Sequence, residues 1–130
     1  MSLKYKGTLF TSWSDIDELI DILAEKVATE LPHIENIHGI ARGGLVPAVM
    51  LSHKLDLPYT EIISTNTLVV DDICDSGETL INGLGVYTAT LFYKPHTSKR
   101  YTPRVFAKVH NGNEWVKFPW EKSQIKQVQS

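Results

Sequence analysis

The stretch LVVDDICDSGETL, residues 68–80, places four acidic residues beside three small residues. The acids are Asp71, Asp72, Asp75 and Glu78, and the small residues are Ser76, Gly77 and Thr79. An ionised carboxylate only accepts hydrogen bonds, so it suits the vicinal hydroxyls of a sugar or a divalent cation. A turn of small residues that begins a helix instead offers N–H groups and hydroxyls to a phosphate. The stretch therefore predicts a ligand with both kinds of group, a phosphorylated sugar.

A buried strand would position this site, because Leu68 to Val70 are apolar and the acids follow them directly. In parallel α/β sheets, ligands bind at the carboxyl ends of the strands. We therefore expect Asp71 and Asp72 at the edge of a cleft, where the strand leaves the sheet. Residues 75–79 are expected to form a tight turn that starts a helix and directs backbone N–H groups into one concavity.

The rest of the chain alternates between helical and strand patterns. Apolar residues at helical spacing over 12–31 predict an amphipathic helix, with Ser14 as its N-cap, Asp17 at the capping-box position and Pro32 ending the pattern. The later predicted elements are a short strand in IENIHGIARGG, a helix in LVPAVMLSHKLDL, strands in YTEIIS and TLVVDD, a helix in GETLINGL, and strands in VYTATLFY and VFAKVH. This alternation predicts an α/β fold, a mostly parallel twisted sheet with helices on both faces.

Composition limits the classes of function. The 130 residues suit one domain, and 42% hydrophobic with 22% charged residues is typical of a globular protein. A net charge of −2 provides no positive field for a nucleic acid or an anionic membrane, so we expect neither as a partner. The single cysteine, Cys74, excludes an intrachain disulfide. No signal-peptide core and no window of about 20 apolar residues is present, so we expect a cytoplasmic location.

Three stretches resemble one family. LVVDDICDSGETL resembles the 5-phosphoribosyl-1-diphosphate (PRPP) motif of type I phosphoribosyltransferases, and IHGIARGGLVPAVMLSHKLDLP is similar to their pyrophosphate-binding loop and following helix. LFYKP with EWVKFPWE is similar to the purine-binding hood of bacterial xanthine-guanine phosphoribosyltransferases. The resemblance covers roughly Tyr5 to Glu121. It implies the family's Rossmann-like fold in a single domain, 1–130, with a small hood made from about 1–12 and 110–125.

The resemblance also implies roles for individual residues. Asp71 and Asp72 would hold the ribose hydroxyls directly or through Mg²⁺, and Asp75 would be the general base near the purine N7. The residues that bind PRPP would be Arg42, Gly43, Gly44, Asp71, Asp72, Ser76, Gly77, Glu78 and Thr79. Mg²⁺ is thus the implied cofactor.

For the purine, the resemblance implies that Lys94 donates to the 6-oxo group, Trp115 stacks on the ring and the Val116 backbone contacts an edge. Glu121 stands where relatives carry an aspartate near a second metal. The implied reaction transfers the 5-phosphoribosyl group of PRPP to guanine, xanthine or hypoxanthine, giving a nucleoside monophosphate and diphosphate. Relatives are commonly homodimers or homotetramers, so we expect such an assembly.

One departure from the family leaves alternatives open. Active relatives carry a long flexible loop before the PRPP motif, whereas here only four residues, 64–67, separate Ile63 from Leu68. Another element could close the site instead, and the basic loop from Lys94 to Arg104 is a candidate; otherwise turnover would be slow and open to water. A protein that binds PRPP or a purine nucleotide without turnover is the alternative function. The intact acid pair argues against a mere interaction module.

Taken without the resemblance, several residues have simpler interpretations. Asp75 and Glu78 match a helix cap and its partner, Trp115 and Trp120 match core or interface aromatics, and Lys94 matches a solvated lysine. The five histidines show no metal-ligand spacing and are interpreted as structural or surface residues. Cys74 is interpreted as a packing residue.

Overall fold

The computed structural model describes residues 3–76, 87–98 and 101–121. The elements are β1 (Leu3–Tyr5), β2 (Thr8–Phe10), α1 (Trp13–Glu30), β3 (Asn36–Gly39), α2 (Leu45–Leu55), β4 (Thr67–Cys74), β5 (Tyr87–Tyr93), β6 (Val105–Val109) and β7 (Trp115–Lys117). They divide into two compact units, Leu19–Asn111 and the combination of Met1–Glu18 with Gly112–Ser130. The expected single domain with a hood at about 1–12 and 110–125 stays a prediction.

The larger unit is built on a four-stranded sheet in the order β3-β4-β5-β6, and every neighbouring pair is parallel. This confirms the predicted α/β class with a parallel sheet. The two middle strands are buried along most of their length, with Val70, Ala89 and Leu91 fully inaccessible to solvent. Strands that are covered on both faces are apolar without alternation, as the run LVV of β4 shows.

Strand β4 extends further than the sequence predicted. It was expected to leave the sheet at Asp71, but it continues to Cys74 because its second half still pairs with β5. On the other side the pairing with β3 ends at Gly39 opposite Val70. The acid pair therefore lies on a strand that is paired along one edge only, beyond the end of β3.

The N-cap of helix α1 is Ser12, two residues before the predicted cap. The Ser12 N–H donates to Asp15 Oδ2 at 2.8 Å, and the Asp15 N–H donates to Ser12 Oγ at 3.1 Å. This is a capping box with aspartate in the third helical position, so the assignment of Ser14 and Asp17 was wrong. The helix ends at Glu30, two residues before Pro32, as predicted.

Helix α2 packs closely on the larger sheet because of a glycine. Pro47 lies in its first turn, where a missing N–H costs nothing, and Pro47, Ala48 and Leu51 form its buried side. A Cβ atom on Gly39 of β3 would lie 2.8 Å from the Ala48 Cβ and 2.7 Å from the Gly44 carbonyl oxygen. Only glycine at position 39 permits this approach between strand and helix.

The predicted strand in YTEIIS was wrong beyond its first residue. Tyr59 forms a parallel bridge to Ile37, but the following residues bend away from the sheet. The Thr60 hydroxyl accepts a hydrogen bond from the Ile62 N–H at 3.0 Å, and Ile62 is 79% exposed. This side-chain bond competes with strand pairing for the backbone. The helix predicted in GETLINGL lies outside the described residues.

The smaller unit contains a three-stranded sheet in the order β1-β2-β7. β1 and β2 are antiparallel and are joined at Lys6 and Gly7, both with positive φ, while β7 runs parallel to β2. The aromatic rings of Phe118 and Trp120 stack at 4.8 Å between centroids, and Trp13 lies 5.8 Å from Trp120. Across residues 3–76, 87–98 and 101–121, no helix is long and apolar enough to cross a bilayer.

Candidate active site

The acid pair lies in the second half of β4, where both side chains are partly buried. The Asp72 N–H donates to Asp71 Oδ1 at 2.9 Å, and the Ile73 N–H donates to Asp72 Oδ1 at 2.8 Å. Burial and the negative charge of Asp72 raise the pKa of Asp71 to about 8. Two adjacent carboxylates that are costly to ionise together favour a bound cation or a hydroxyl-bearing ligand.

A glycine loop lies against this acid pair. A Cβ atom on Gly43 would overlap the Asp72 carboxylate, and its distance to Asp72 Cγ would be 2.7 Å. A Cβ on Gly44 would overlap the Val70 carbonyl oxygen of β4. The peptide bond between Ala41 and Arg42 is cis, and the Arg42 side chain is exposed. The structure thus brings the loop 42–44 against Asp72, so both stretches face the same region.

A second cluster forms where β4 and β5 end. The Lys94 N–H donates to the Cys74 carbonyl at 2.9 Å, which places Lys94 beside Asp75. Lys94 Nζ lies 3.7 Å from Asp75 Oδ2, and Lys94 is only 6% exposed. The interpretation of Lys94 as a solvated lysine was therefore wrong. A buried lysine paired with a half-exposed carboxylate is a donor held in a fixed position.

Two residues of this cluster, Thr97 and Ser98, were not predicted from the sequence. The Thr97 hydroxyl donates to Asp75 Oδ1 at 2.5 Å, and Ser98 Oγ lies 3.1 Å from Cys74 Sγ. Ser98 Oγ also donates to the Tyr101 carbonyl at 2.6 Å. The only available signal was their position shortly after the LFYKP stretch.

Cys74 packs inside this cluster. It is 1% exposed, and burial raises the pKa of its thiol, although the Ser98 hydroxyl opposes that effect. A thiol that resists ionisation is a poor nucleophile, which supports its interpretation as a packing residue.

Several predicted residues lie outside the described part of the chain or away from these two clusters. Ser76 is described and exposed, whereas Gly77, Glu78 and Thr79 of the expected phosphate turn lie outside the described residues. In the basic loop, Lys99 and Arg100 also lie outside them. Arg104, at its end, forms an ion pair with Glu30 at 3.2 Å.

The residues expected to bind the purine from the hood lie in the smaller unit. Trp115 is 62% exposed on β7, and Val116, opposite Leu9 of β2, is buried. Glu121 Oε1 accepts a hydrogen bond from the Phe118 N–H at 2.7 Å. Glu121 thus has a local structural contact, and its metal role stays a prediction.

The donor set of the acid pair is compatible with Mg²⁺. Carboxylate oxygens are the ligands this ion prefers, and it commonly takes one or two of them together with water and substrate oxygens. Within the described part of the chain, no cluster of three or more His, Cys, Asp or Glu side chains could enclose a metal. A metal held by the acid pair alone would take its remaining ligands from water or substrate oxygens.

Comparison with known proteins gives a consistent group of relatives. A xanthine-guanine phosphoribosyltransferase of Desulfotalea psychrophila is 26% identical, over 93% of this chain and 91% of that protein. The crystal structure of a purine phosphoribosyltransferase from Pyrococcus horikoshii superposes with a TM-score of 0.75 at 28% identity, covering 90% of this chain and 96% of that one. The xanthine-guanine-hypoxanthine phosphoribosyltransferase of Helicobacter pylori gives 0.75 at 27% identity, covering 92% and 95%. No family model matches the chain.

Proposed function

We propose that this chain, a type I phosphoribosyltransferase that resembles the bacterial xanthine-guanine enzymes, transfers the 5-phosphoribosyl group of PRPP to a 6-oxopurine. The observation that carries the proposal is the pairing of buried Lys94 with Asp75, 3.7 Å apart, immediately after the acid pair of β4. Lys94 supplies a donor for a 6-oxo group, and Asp75 supplies an acceptor for a ring proton. Both lie at the carboxyl end of a parallel sheet, the position in which such folds bind ligands.

The reaction breaks the bond between ribose C1 and the diphosphate oxygen and forms a bond from C1 to the purine N9. As N9 donates its electron pair, the ring loses the proton on N7, which Asp75 accepts. Lys94 holds the 6-oxo group and so fixes the purine in line with C1. Positioning of this kind supplies much of the rate of a bimolecular transfer.

The acid pair and the glycine loop act on PRPP. Asp71 and Asp72 accept hydrogen bonds from the ribose hydroxyls or bind Mg²⁺, and the loop 42–44 faces the diphosphate with Arg42 as its cation. Mg²⁺ held by these carboxylates would supply positive charge for the departing diphosphate. The proposed phosphate contacts of Ser76, Gly77, Glu78 and Thr79, the stacking of Trp115, the edge contact of Val116 and the metal contact of Glu121 rest on the family resemblance.

The proposal is tested by incubating the protein with PRPP, Mg²⁺ and one of four bases: guanine, xanthine, hypoxanthine or adenine. Nucleotide and diphosphate are both quantified. We expect equal amounts of the two products with the 6-oxopurines and little nucleotide with adenine, because an amino group at C6 does not accept a bond from Lys94. Activity with adenine alone would overturn the 6-oxopurine assignment.

A second candidate function is binding of PRPP or a purine nucleotide without turnover. The turn before β4 favours it, because residues 64–67 are closed by hydrogen bonds from the Thr67 N–H to the Ser64 carbonyl and from the Ser64 N–H to Thr67 Oγ1. So short a turn cannot cover a site. Tight binding of PRPP with neither product formed would select this function. A homodimeric or homotetrameric assembly and a cytoplasmic location stay predictions.

A further inference from the structure

We propose that Thr97 is a positioning residue whose hydroxyl holds the Asp75 carboxylate in its reactive orientation, a role that rests on the proposed function of Asp75. Thr97 Oγ1 lies 2.5 Å from Asp75 Oδ1, 3.0 Å from the Asp75 carbonyl oxygen and 3.3 Å from the Lys94 carbonyl oxygen. One hydroxyl donates one proton, and a carboxylate is the strongest of these acceptors. The short bond to Oδ1 is therefore the one that the hydroxyl forms.

The two oxygens of Asp75 then have different partners. Oδ1 accepts from Thr97, while Oδ2 lies 3.7 Å from Lys94 Nζ. The terminal torsion of an aspartate is broad, so a carboxylate without such a contact samples many orientations. With Oδ1 fixed, Oδ2 stays beside Lys94. The N7 and 6-oxo groups of a purine lie on one edge of the ring, and this edge matches an acceptor and a donor held side by side.

The turn that carries Thr97 is itself fixed. The N–H groups of Thr97 and Ser98 both donate to the Lys94 carbonyl, at 3.2 and 2.9 Å, and the Lys94 N–H donates to Cys74. Ser98 is 3% exposed and is bonded to the Tyr101 carbonyl. The carboxylate is thus oriented by a hydroxyl on a rigid support, which is the arrangement that keeps a reacting group in place.

Within residues 3–76, 87–98 and 101–121, two ionisable groups lie beside Asp75. Lys94 lies on the turn after β5, and the Cys74 thiol precedes Asp75 in β4 and interacts electrostatically with it. Neither group replaces the Thr97 bond, because Lys94 faces the other carboxylate oxygen and the Cys74 thiol is bonded to Ser98.

The test compares Thr97→Val, Thr97→Ala and Thr97→Ser with a control, Thr102→Val. Thr102 is an exposed threonine close to the same turn, and its hydroxyl lies 3.2 Å from the Tyr93 hydroxyl. We expect Thr97→Val and Thr97→Ala to lower kcat about tenfold, because this is the usual effect of losing one hydrogen bond to a half-exposed carboxylate. KM for PRPP should change less than about twofold. Thr97→Ser should restore kcat, and Thr102→Val should leave both constants unchanged.

The possible outcomes distinguish the role of Thr97 from the proposed transferase function. Turnover by the wild type with an unchanged kcat in Thr97→Ala would overturn the role of Thr97 alone. Equal changes in kcat and KM that serine does not rescue would mean a structural role and would also overturn it. No turnover by the wild type would overturn the proposed function, and the role of Thr97 with it. If Thr97→Val does not fold, Thr97→Ala still tests the loss of the hydroxyl.

Discussion

The ammonium group of Lys94 lies 3.7 Å from the carboxylate of Asp75, although the two residues are separated by 19 positions and follow different strands. A backbone bond from the Lys94 N–H to the Cys74 carbonyl aligns the ends of β4 and β5 and produces this relationship. Because Lys94 is almost fully buried, its charge is screened little by solvent.

Replacing Lys94 by methionine removes the donor and keeps most of the volume of the side chain. We expect kcat/KM for the 6-oxopurines to fall by about 10- to 100-fold, the value of one hydrogen bond from a charged group. Steady-state rates for guanine and hypoxanthine measure the effect. Lys54→Met is the matched control, since Lys54 lies on α2 and forms an exposed ion pair with Asp21. An equal loss in both variants would contradict a specific role for Lys94.

Gly43→Ala should displace the Asp72 carboxylate, because a Cβ at that position overlaps it. We expect the Kd for PRPP in the presence of Mg²⁺ to rise at least about tenfold, equivalent to roughly 1.4 kcal/mol. Gly112→Ala is the control, since its Cβ meets chiefly the end of the flexible Glu114 side chain. Isothermal titration with PRPP checks the prediction. Unchanged affinity in Gly43→Ala would mean that Asp72 does not contact the ligand.

The stability of the metal-free protein should depend on Asp71. Its folded-state pKa, about 8, lies above the ordinary value of 3.8, so the folded protein binds this proton more tightly than the unfolded chain. The associated stability is fully present below pH 4 and is lost as pH rises through 8. Asp71→Asn should remove that loss, giving a gain on the order of 2 kcal/mol at pH 9 in EDTA.

Urea unfolding at pH 5, 7 and 9 measures this dependence. Glu61→Gln is the control, because Glu61 is exposed. The difference between Asp71→Asn and the wild type should grow with pH, whereas the control should follow the wild type throughout. A difference that shrinks with pH would show that the sign is wrong.

The start of α1 provides a test that is independent of the site. Ser12→Ala removes the observed cap and should cost about 1 kcal/mol of unfolding free energy. Ser14→Ala, at the position the sequence first suggested, should change stability little. Thermal or urea unfolding distinguishes the two, and the opposite order would place the helix start at Ser14.

Features set by residues close in sequence were predicted well, and features set by residues far apart in sequence were not. The apolar run of β4 and the α/β class are local patterns, and they were predicted correctly. Ser12 and Ser14 each have an aspartate three residues later, so the pattern alone does not choose between the two caps. β1 and β2 are three residues long, and β2 pairs with β7, more than 100 positions away. Strands of this kind have no detectable period.

In the candidate site, too, local features were predictable and long-range contacts were not. The acid pair and the glycine loop were recognisable because their residue types are informative in sequence. The burial of Lys94 and the contact between Thr97 and Asp75 were not, because both depend on how β4 and β5 end beside each other. Side chains from consecutive strands meet only after the sheet has formed.

Proton acceptance by Asp75 is the central step of the proposed transfer, and a single-turnover experiment tests it most directly. The wild type and Asp75→Asn are each mixed in excess over PRPP with Mg²⁺ and guanine, and nucleotide and diphosphate are followed in time. We predict equimolar products from the wild type and a rate at least about 100-fold lower in Asp75→Asn with PRPP affinity retained, as expected for a lost general base. Equal rates in the two proteins, or diphosphate released without nucleotide, would contradict transfer with Asp75 as the base.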